Sequence, residues 1–170
     1  MVYTIRFVSD EEPDFELDVK VSPKHTFADL HNAIQKKLNF DDKFLASFFV
    51  SNAKWEKLEE ITLMDMGEGC RLMSDTLFGK FFGKTGQKML YVFDYFSERL
   101  LFGNIISESD EDSLPAPCAL RLDGHIPPQV APESDFLEGD DSLFSGEEMT
   151  SDDFDFDELS DEMSDGYSIE

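Results

Sequence analysis

Three side chains in this sequence, His31, Asp94 and Cys118, are of types that perform acid–base or nucleophilic chemistry. Asp94 interrupts the aromatic stretch "YVFDYF", where a carboxylate in an apolar setting can serve as a general base. The competing interpretation is that an acid at this place caps a turn or pairs across a hairpin. A catalytic role requires the three side chains to converge on one concave site in the folded domain.

Patterns for phosphate and zinc binding are incomplete. The stretch "GKFFGKTG" (79–86) has one residue too few between its first glycine and Gly-Lys-Thr, and it precedes a predicted strand instead of a helix. The candidate zinc ligands, which lack the close paired spacing of structural zinc motifs, are His25, His31, His125, Cys70 and Cys118. His31 also fits a core position, since it lies on the apolar face of a predicted helix.

Alternate aspartates near the C-terminus, Asp153, Asp155 and Asp157, are spaced like calcium ligands. Glu158 stands where such a loop needs a glycine, and Ser164 stands where it needs a bidentate glutamate. Without the sharp turn and the last ligand, the loop cannot close around the ion. The sequence therefore predicts no metal site and no cofactor.

Acidic residues are concentrated in the C-terminal third of the chain. Residues 106–170 hold 21 acids and one base, whereas residues 1–105 hold 17 acids and 13 bases. This surplus repels phosphate, so we expect no nucleic-acid binding by the tail, and it favours a basic protein partner or high solubility. Because hydrophobic periodicity ends there, we predict an α+β domain over residues 1–130 and a disordered acidic tail over residues 131–170.

The predicted tail also carries apolar side chains between its acids. Phe154, Phe156, Leu159 and Met163 are candidates for docking on a basic, apolar groove as a short linear motif. The flanking acids would keep these side chains hydrated until they bind. The competing interpretations are a purely solvating tail and mimicry of nucleic-acid charge.

Sequence signals for export or membrane insertion are missing from this stretch of chain. The N-terminus has no basic region followed by an apolar run, and the longest apolar stretches are too short to cross a bilayer. Two cysteines, Cys70 and Cys118, do not make a disulfide framework. The sequence therefore predicts a soluble cytoplasmic protein with two reduced thiols and no membrane contact.

Hydrophobic periodicity predicts the first elements that position these residues. Two alternating stretches, 3–8 and 15–21, indicate half-buried antiparallel strands. Residues 26–38 indicate a helix with Thr26 as N-cap, and Asp29 completes a capping box. The apolar residues that recur at helical spacing are Phe27, Leu30, Ile34 and Leu38.

The following residues predict further strands. "FLASFFV" (44–50) and residues 59–65 indicate strands, residues 74–83 a short helix that runs into a loop, and residues 88–106 a hairpin that turns near residues 96–99. The order strand, strand, helix, strand predicts an α+β fold with a β-grasp-like core. In this fold one main helix packs on a mixed or antiparallel sheet.

Three motifs occur along the chain in a consistent order. They are "TFADLHNAIQ" (26–35), "YVFDYFSERL" (91–100) and "PAPCALRLDGHIPP" (115–128). Together they resemble the plasmid open-reading-frame-three-like family, named from a reading frame of an Ri plasmid, over roughly residues 1–130. The resemblance implies a bacterial-type α+β module for which no activity is established.

The motifs also differ from the family pattern at polar positions. His31, Asp94 and Cys118 match it. The positions at which the family carries histidine, glycine, aspartate or tryptophan are here Phe44, Phe96, Ser97, Arg99 and Leu101. If those polar residues form a site elsewhere in the family, most of it is replaced in this chain.

The sequence favours a non-catalytic protein-binding or scaffold module. We expect its contacts near Asp94 and Tyr95 on the domain, and at Phe154, Phe156, Leu159 and Met163 in the tail. The alternative is a hydrolase or a nucleic-acid-processing accessory enzyme, with a pocket around His31, Asp94 and Cys118.

Overall fold

A computed structural model describes residues 1–131 of the 170-residue chain. The described part contains one α-helix, α1 (Phe27–Leu38), and two short 3-10 helices, Met73–Asp75 and Phe78–Lys80. Its strands are β1 (Val2–Ser9), β2 (Glu16–Val21), β3 (Ser47–Ser51), β4 (Lys57–Thr62), β5 (Arg71–Leu72), β6 (Lys88–Asp94), β7 (Arg99–Ser109) and β8 (Cys118–Asp123). The predicted disorder of the tail concerns residues outside this described part.

The eight strands form one mixed sheet in the order β5-β4-β3-β6-β7-β1-β2-β8. Neighbouring strands pair antiparallel except β4 and β5, which are parallel. The helix α1 packs on one face of this sheet through its buried residues. The predicted α+β arrangement, one main helix on a mixed sheet, is confirmed.

The predicted capping box forms at the start of α1. The Asp29 backbone N–H donates to Thr26 Oγ1 at 3.1 Å, and the Thr26 N–H donates back to Asp29 Oδ2 at 2.9 Å. These two bonds satisfy donors that the first helical turn leaves unpaired. The helix ends at Asn39, whose left-handed backbone (φ 59°) lets its N–H cap the last carbonyls.

The core between α1 and the sheet is rich in aromatic side chains. Phe27 on the helix packs against Phe48 of β3 and Phe78, with ring centroids 5.4 and 5.7 Å away. Gly103 of β7 leaves room for Phe7, since a Cβ there would lie 2.6 Å from the Phe7 ring. Two polar residues, His31 and Gln35, also lie on the buried face of α1 and need partners there.

The structure places several elements where the sequence pattern was weak. β8 was not predicted as a strand, because its apolar alternation covers only residues 120–123 and it lies at the sheet edge with mostly exposed side chains. β3 begins three residues after the predicted start, at Ser47, and β4 is shifted toward the N-terminus, to Lys57–Thr62. The short helix expected over residues 74–83 is instead two 3-10 turns.

Antiparallel pairing brings several chain segments to one end of the sheet. Val8 at the end of β1 pairs with Glu16, and Glu16 pairs with Asp123 at the end of β8. Ser9 pairs with Leu101, near the start of β7. The β1–β2 turn, the β6–β7 turn and the residues after β8 therefore lie at the same end, which we call the β6–β7 end.

Candidate functional site

The turn between β6 and β7 presents two aromatic side chains at this end of the sheet. Phe96 is 86% exposed, and its ring meets that of Tyr95 edge-on at a centroid distance of 5.8 Å. Asp94 shapes the turn by accepting from the Ser97 N–H at 3.4 Å. Glu98 completes the turn with a left-handed backbone, φ 54°. A fixed turn thus holds a large apolar ring in water.

Tyr95 also borders a shallow apolar cleft formed with the ends of β3 and β4. Its lining residues are Leu45, Ala46, Ser47, Thr62, Leu63, Met64, Met66 and Tyr95. The cleft is too shallow to enclose even a water molecule, so it is a dimple in the surface and not a ligand pocket. Met64 and Met66 are 52% and 46% exposed. We call Met64, Met66, Tyr95 and Phe96 the Met–aromatic surface.

Arg99 joins three segments at the β6–β7 end. Its Nε and Nη2 donate to the two carboxylate oxygens of Glu11, both at 2.8 Å, and its Nη1 donates to Asp94 at 3.3 Å. Its remaining donors bind the carbonyl oxygens of Pro128 at 2.6 Å and Gln129 at 3.2 Å. The side chain is 12% exposed, and the hydrogen bonds to Glu11 raise the pKa of Arg99. We call this group the Arg99 clamp.

The segment held by Arg99 is also tied to the turn after α1. The Gln129 side chain accepts from the Asp41 N–H at 2.6 Å and donates to the Asp41 carbonyl at 2.8 Å. The Gln129 side-chain amide thus pairs with the Asp41 backbone in the way that two strands pair, although the two residues are distant in sequence. The Arg99 clamp and Gln129 together hold residues 128–129 against the domain.

A second polar cluster lies beneath α1. Gln35 Nε2 donates to the Tyr91 hydroxyl at 2.6 Å, and that hydroxyl is hydrogen-bonded to His31 Nδ1 at 2.9 Å. Burial lowers the pKa of His31 to about 4, against a smaller opposing effect of Asp42, and burial raises the pKa of Tyr91. The three side chains are therefore neutral near pH 7. We call them the His31–Tyr91 relay.

One group among residues 1–131 has the donor types of a metal site. Glu12, Asp14 and His125 place one ligand atom each within 4.8 Å of one another. The hydrogen bond from His125 to Asp14 raises the pKa of His125, and the pKa of Asp14 is lowered by hydrogen bonds from the His125 backbone and side chain.

Comparisons with known proteins agree with the motif order in the sequence. A family model described as "Plasmid pRiA4b ORF-3-like protein" matches residues 6–129. The chain belongs to this family. The ORF-3-like fold is similar to the crystal structure of a protein of unknown function from Methanosarcina mazei Go1, with a TM-score of 0.61 and 19% identity over 91% of this chain and 92% of that one. At this identity the likeness shows the fold alone, and the comparison with curated proteins found no match.

The ORF-3-like domain does not bring the three predicted reactive side chains to one site. His31 is bound within the relay and Asp94 within the Arg99 clamp. Cys118 lies on the edge strand β8, four strand positions from β6, which at the usual strand spacing is about 19 Å. Asp94 and Tyr95, the predicted contact residues of the domain, lie at the turn between β6 and β7, and both are partly buried. The tail candidates, Phe154, Phe156, Leu159 and Met163, lie outside the described residues.

Sequence reasoning missed the role of several residues of this ORF-3-like domain. Arg99 was noticed only as a replacement for a family residue, and Glu11 was not singled out. The sequence signal that could have found Gln129 is the Pro-Pro pair just before it, since two prolines stiffen a segment that then docks as a unit. Within the described residues, no helix is both long and apolar enough to cross a bilayer.

Proposed function

We propose that this chain is a non-catalytic protein-binding module whose folded part docks a partner through the Met–aromatic surface. The observation that carries the proposal is the 86% exposure of Phe96. Burying one aromatic side chain of this size in a partner pocket supplies a large part of the binding energy of a typical interface.

The methionines beside it suit a surface that adapts to a partner. Met64 and Met66 are flexible and polarisable, and both are about half exposed next to Tyr95. The dimple beside Tyr95 is too shallow to enclose a small molecule, whereas a protein partner can rest on the surface around it. These features support a protein ligand for the β6–β7 end.

The polar clusters nearby support a binding role over a catalytic one. Arg99 donates hydrogen bonds to Glu11, Asp94 and two backbone carbonyl groups. Tyr91 engages both His31 and Gln35 beneath the helix. Arg99 and Tyr91 are thus engaged in contacts that hold the domain together, which supports a structural role for both clusters.

The proposal also includes the domain boundary, the type of core and a role for the tail. A domain boundary near residue 130 is supported by the family match, which ends at residue 129. A β-grasp-like core is supported by the order β1, β2, α1, β3. The tail residues Phe154, Phe156, Leu159 and Met163 are proposed as a second contact, on the basis of their acidic surroundings, and a basic partner would suit them.

The proposal is tested by replacing Phe96 in the full-length chain. We expect Phe96→Ser to weaken capture of partner proteins from host lysate by at least about tenfold, the loss typical of a truncated hot-spot residue. Because Phe96 is almost fully exposed, the melting temperature of the variant should match that of the parent chain.

A matched control is Leu77→Ser, which also removes an exposed apolar side chain, 50% exposed, outside the Met–aromatic surface. The control should retain the partners of the parent chain. Equal capture by the Phe96 variant and the parent would refute docking at this surface. A double change of Phe154 and Phe156 to serine reports the contribution of the tail separately.

A further inference from the structure

Two acidic side chains of the β1–β2 turn meet a histidine from the far end of the domain sequence. Glu12 and Asp14 belong to that turn, and His125 follows β8 by two residues. His125 was weighed in the sequence only with other histidines and with cysteines, because residues 111 positions away in the chain give no local signal.

The contact between His125 and Asp14 is closely built. The His125 backbone N–H donates to Asp14 Oδ1 at 3.1 Å, and the His125 Nδ1 lies 2.7 Å from Asp14 Oδ2. Gly124 permits this approach with a left-handed backbone, φ 79°, and a Cβ there would lie 1.9 Å from the Asp14 carbonyl oxygen. The segment is therefore specifically shaped to place the imidazole at this turn.

Stabilisation by the ion pair alone does not account well for this arrangement. The His125 and Asp14 side chains are 81% and 52% exposed, and ion pairs at such exposure contribute little to the free energy of folding. The accessible imidazole and two carboxylates form a set of three donors that an ion can reach from solvent. They leave further coordination positions for water.

The donor types select a class of ion. One imidazole nitrogen with two carboxylate oxygens suits borderline divalent metals such as Zn²⁺, whereas Mg²⁺ and Ca²⁺ prefer oxygen donors alone. With metal–ligand bonds of about 2.0–2.2 Å, tetrahedral ligand atoms lie roughly 3.3–3.6 Å apart. The three present ligand atoms lie within 4.8 Å of one another, which is near that spacing.

We propose that Glu12, Asp14 and His125 bind a divalent transition-metal ion of the Zn²⁺ type. The site lies beside the Arg99 clamp, in which the neighbouring Glu11 and the nearby Pro128 share one guanidinium. A bound ion therefore links the β1–β2 turn and the segment after β8 a second time. The inference is independent of docking at the Met–aromatic surface.

The test uses the full-length chain with Zn²⁺ and paramagnetic Co²⁺ as probes. Co²⁺ should shift or broaden the NMR signals of the His125 ring and the Gly124 amide at lower concentrations than those of other exposed acidic regions. His125→Gln and Glu12→Gln should each weaken Zn²⁺ binding at this site by at least about tenfold, as losses of one ligand of three. Mg²⁺ should not produce the same effect on the His125 ring.

The matched control is Asp10→Asn, which removes the same charge from the same turn but no proposed ligand. Its Zn²⁺ affinity should stay within about twofold of the parent chain. Equal losses in the Asp10 and Glu12 variants, or His125 signals unaffected by Co²⁺, would overturn the site. Melting temperatures measured in a chelator distinguish ligand loss from unfolding, and Glu12→Gln leaves the His125–Asp14 hydrogen bonds intact.

Discussion

The His31–Tyr91 relay and the Arg99 clamp both hold polar side chains against the sheet, but the relay is uncharged and the clamp is built from charged groups. The relay lies beneath α1, and burial keeps its histidine neutral. The clamp lies at the rim of the sheet, where Arg99 stays charged and binds the carboxylates of Glu11 and Asp94. One cluster joins helix to sheet, and the other joins loops to the strand ends.

The difference shows how depth decides which polar chemistry a fold can use. Inside the core an ionised group costs more than its hydrogen bonds return, so neutral donors and acceptors form a chain. At the rim, an arginine can remain charged because several oxygens surround it and water is close. Neither cluster leaves a reactive group facing the Met–aromatic surface, which is therefore distinguished by its apolar side chains.

Removing the arginine should produce the largest effect. We expect Arg99→Ala to lower the free energy of unfolding by about 2–4 kcal/mol, because the change removes all the hydrogen bonds of the guanidinium and leaves the mostly buried Asp94 without its partner, while the more exposed Glu11 is rehydrated. Hydrogen exchange at residues 128–131 should also accelerate, since two carbonyls lose their donor. Chemical denaturation and hydrogen-exchange mass spectrometry measure the two effects.

Arg71→Ala is the matched control for this change. Arg71 forms an exposed pair with Glu59 at 3.1 Å, which is expected to contribute less than about 1 kcal/mol. If both arginine variants lost the same small amount of stability, the clamp would be no more than a surface ion pair.

The relay should instead respond to pH. The pKa of His31 is about 4 in the folded protein, whereas a solvated histidine, as in the unfolded chain, has a pKa of 6.5, so between these values the unfolded chain binds a proton that the folded chain does not. Stability is therefore fully present above pH 6.5 and falls between pH 6.5 and 4, by up to about 3 kcal/mol from this residue. Denaturation curves at pH 7, 6, 5 and 4 measure the loss.

Carboxylates also titrate at the lower end of this range, so a variant isolates the histidine. His31→Gln has no proton to gain there, and its stability should change less between pH 6.5 and 5 than that of the parent. An identical slope in the two proteins would show that His31 is not responsible.

A smaller effect is expected from removing the central hydroxyl of the relay. Tyr91→Phe leaves His31 Nδ1 and Gln35 Nε2 without their shared partner in the buried core. We expect a loss of about 1–3 kcal/mol, the usual cost of unsatisfied buried polar groups. Thermal and chemical denaturation measure it.

Tyr3→Phe serves as the comparison for the Tyr91 variant. It removes a hydroxyl that donates to one backbone carbonyl, Gly83 O, at 2.9 Å in a less buried place. The Tyr3 variant should lose less stability than the Tyr91 variant. The reverse order would mean that the relay is relaxed enough to find other partners.

Local patterns were sufficient for the elements at the start of the chain. The Thr26–Asp29 capping box, the buried stripe of α1 and the alternation in β1 and β2 were all predicted from residues within a few positions of one another. β8 was missed because its apolar alternation covers only residues 120–123, and its pairing with β2 joins residues about a hundred positions apart.

The candidate sites divide in the same way. The sequence alone identified Asp94 and Tyr95 as contact candidates, because an acid within an aromatic run is conspicuous without any structure. The Glu11–Arg99–Pro128 contacts and the meeting of Asp14 with His125 depend on which strands lie side by side. That order is decided by the packing of the whole sheet around α1, because the free energy that selects it comes from burial shared among all strands.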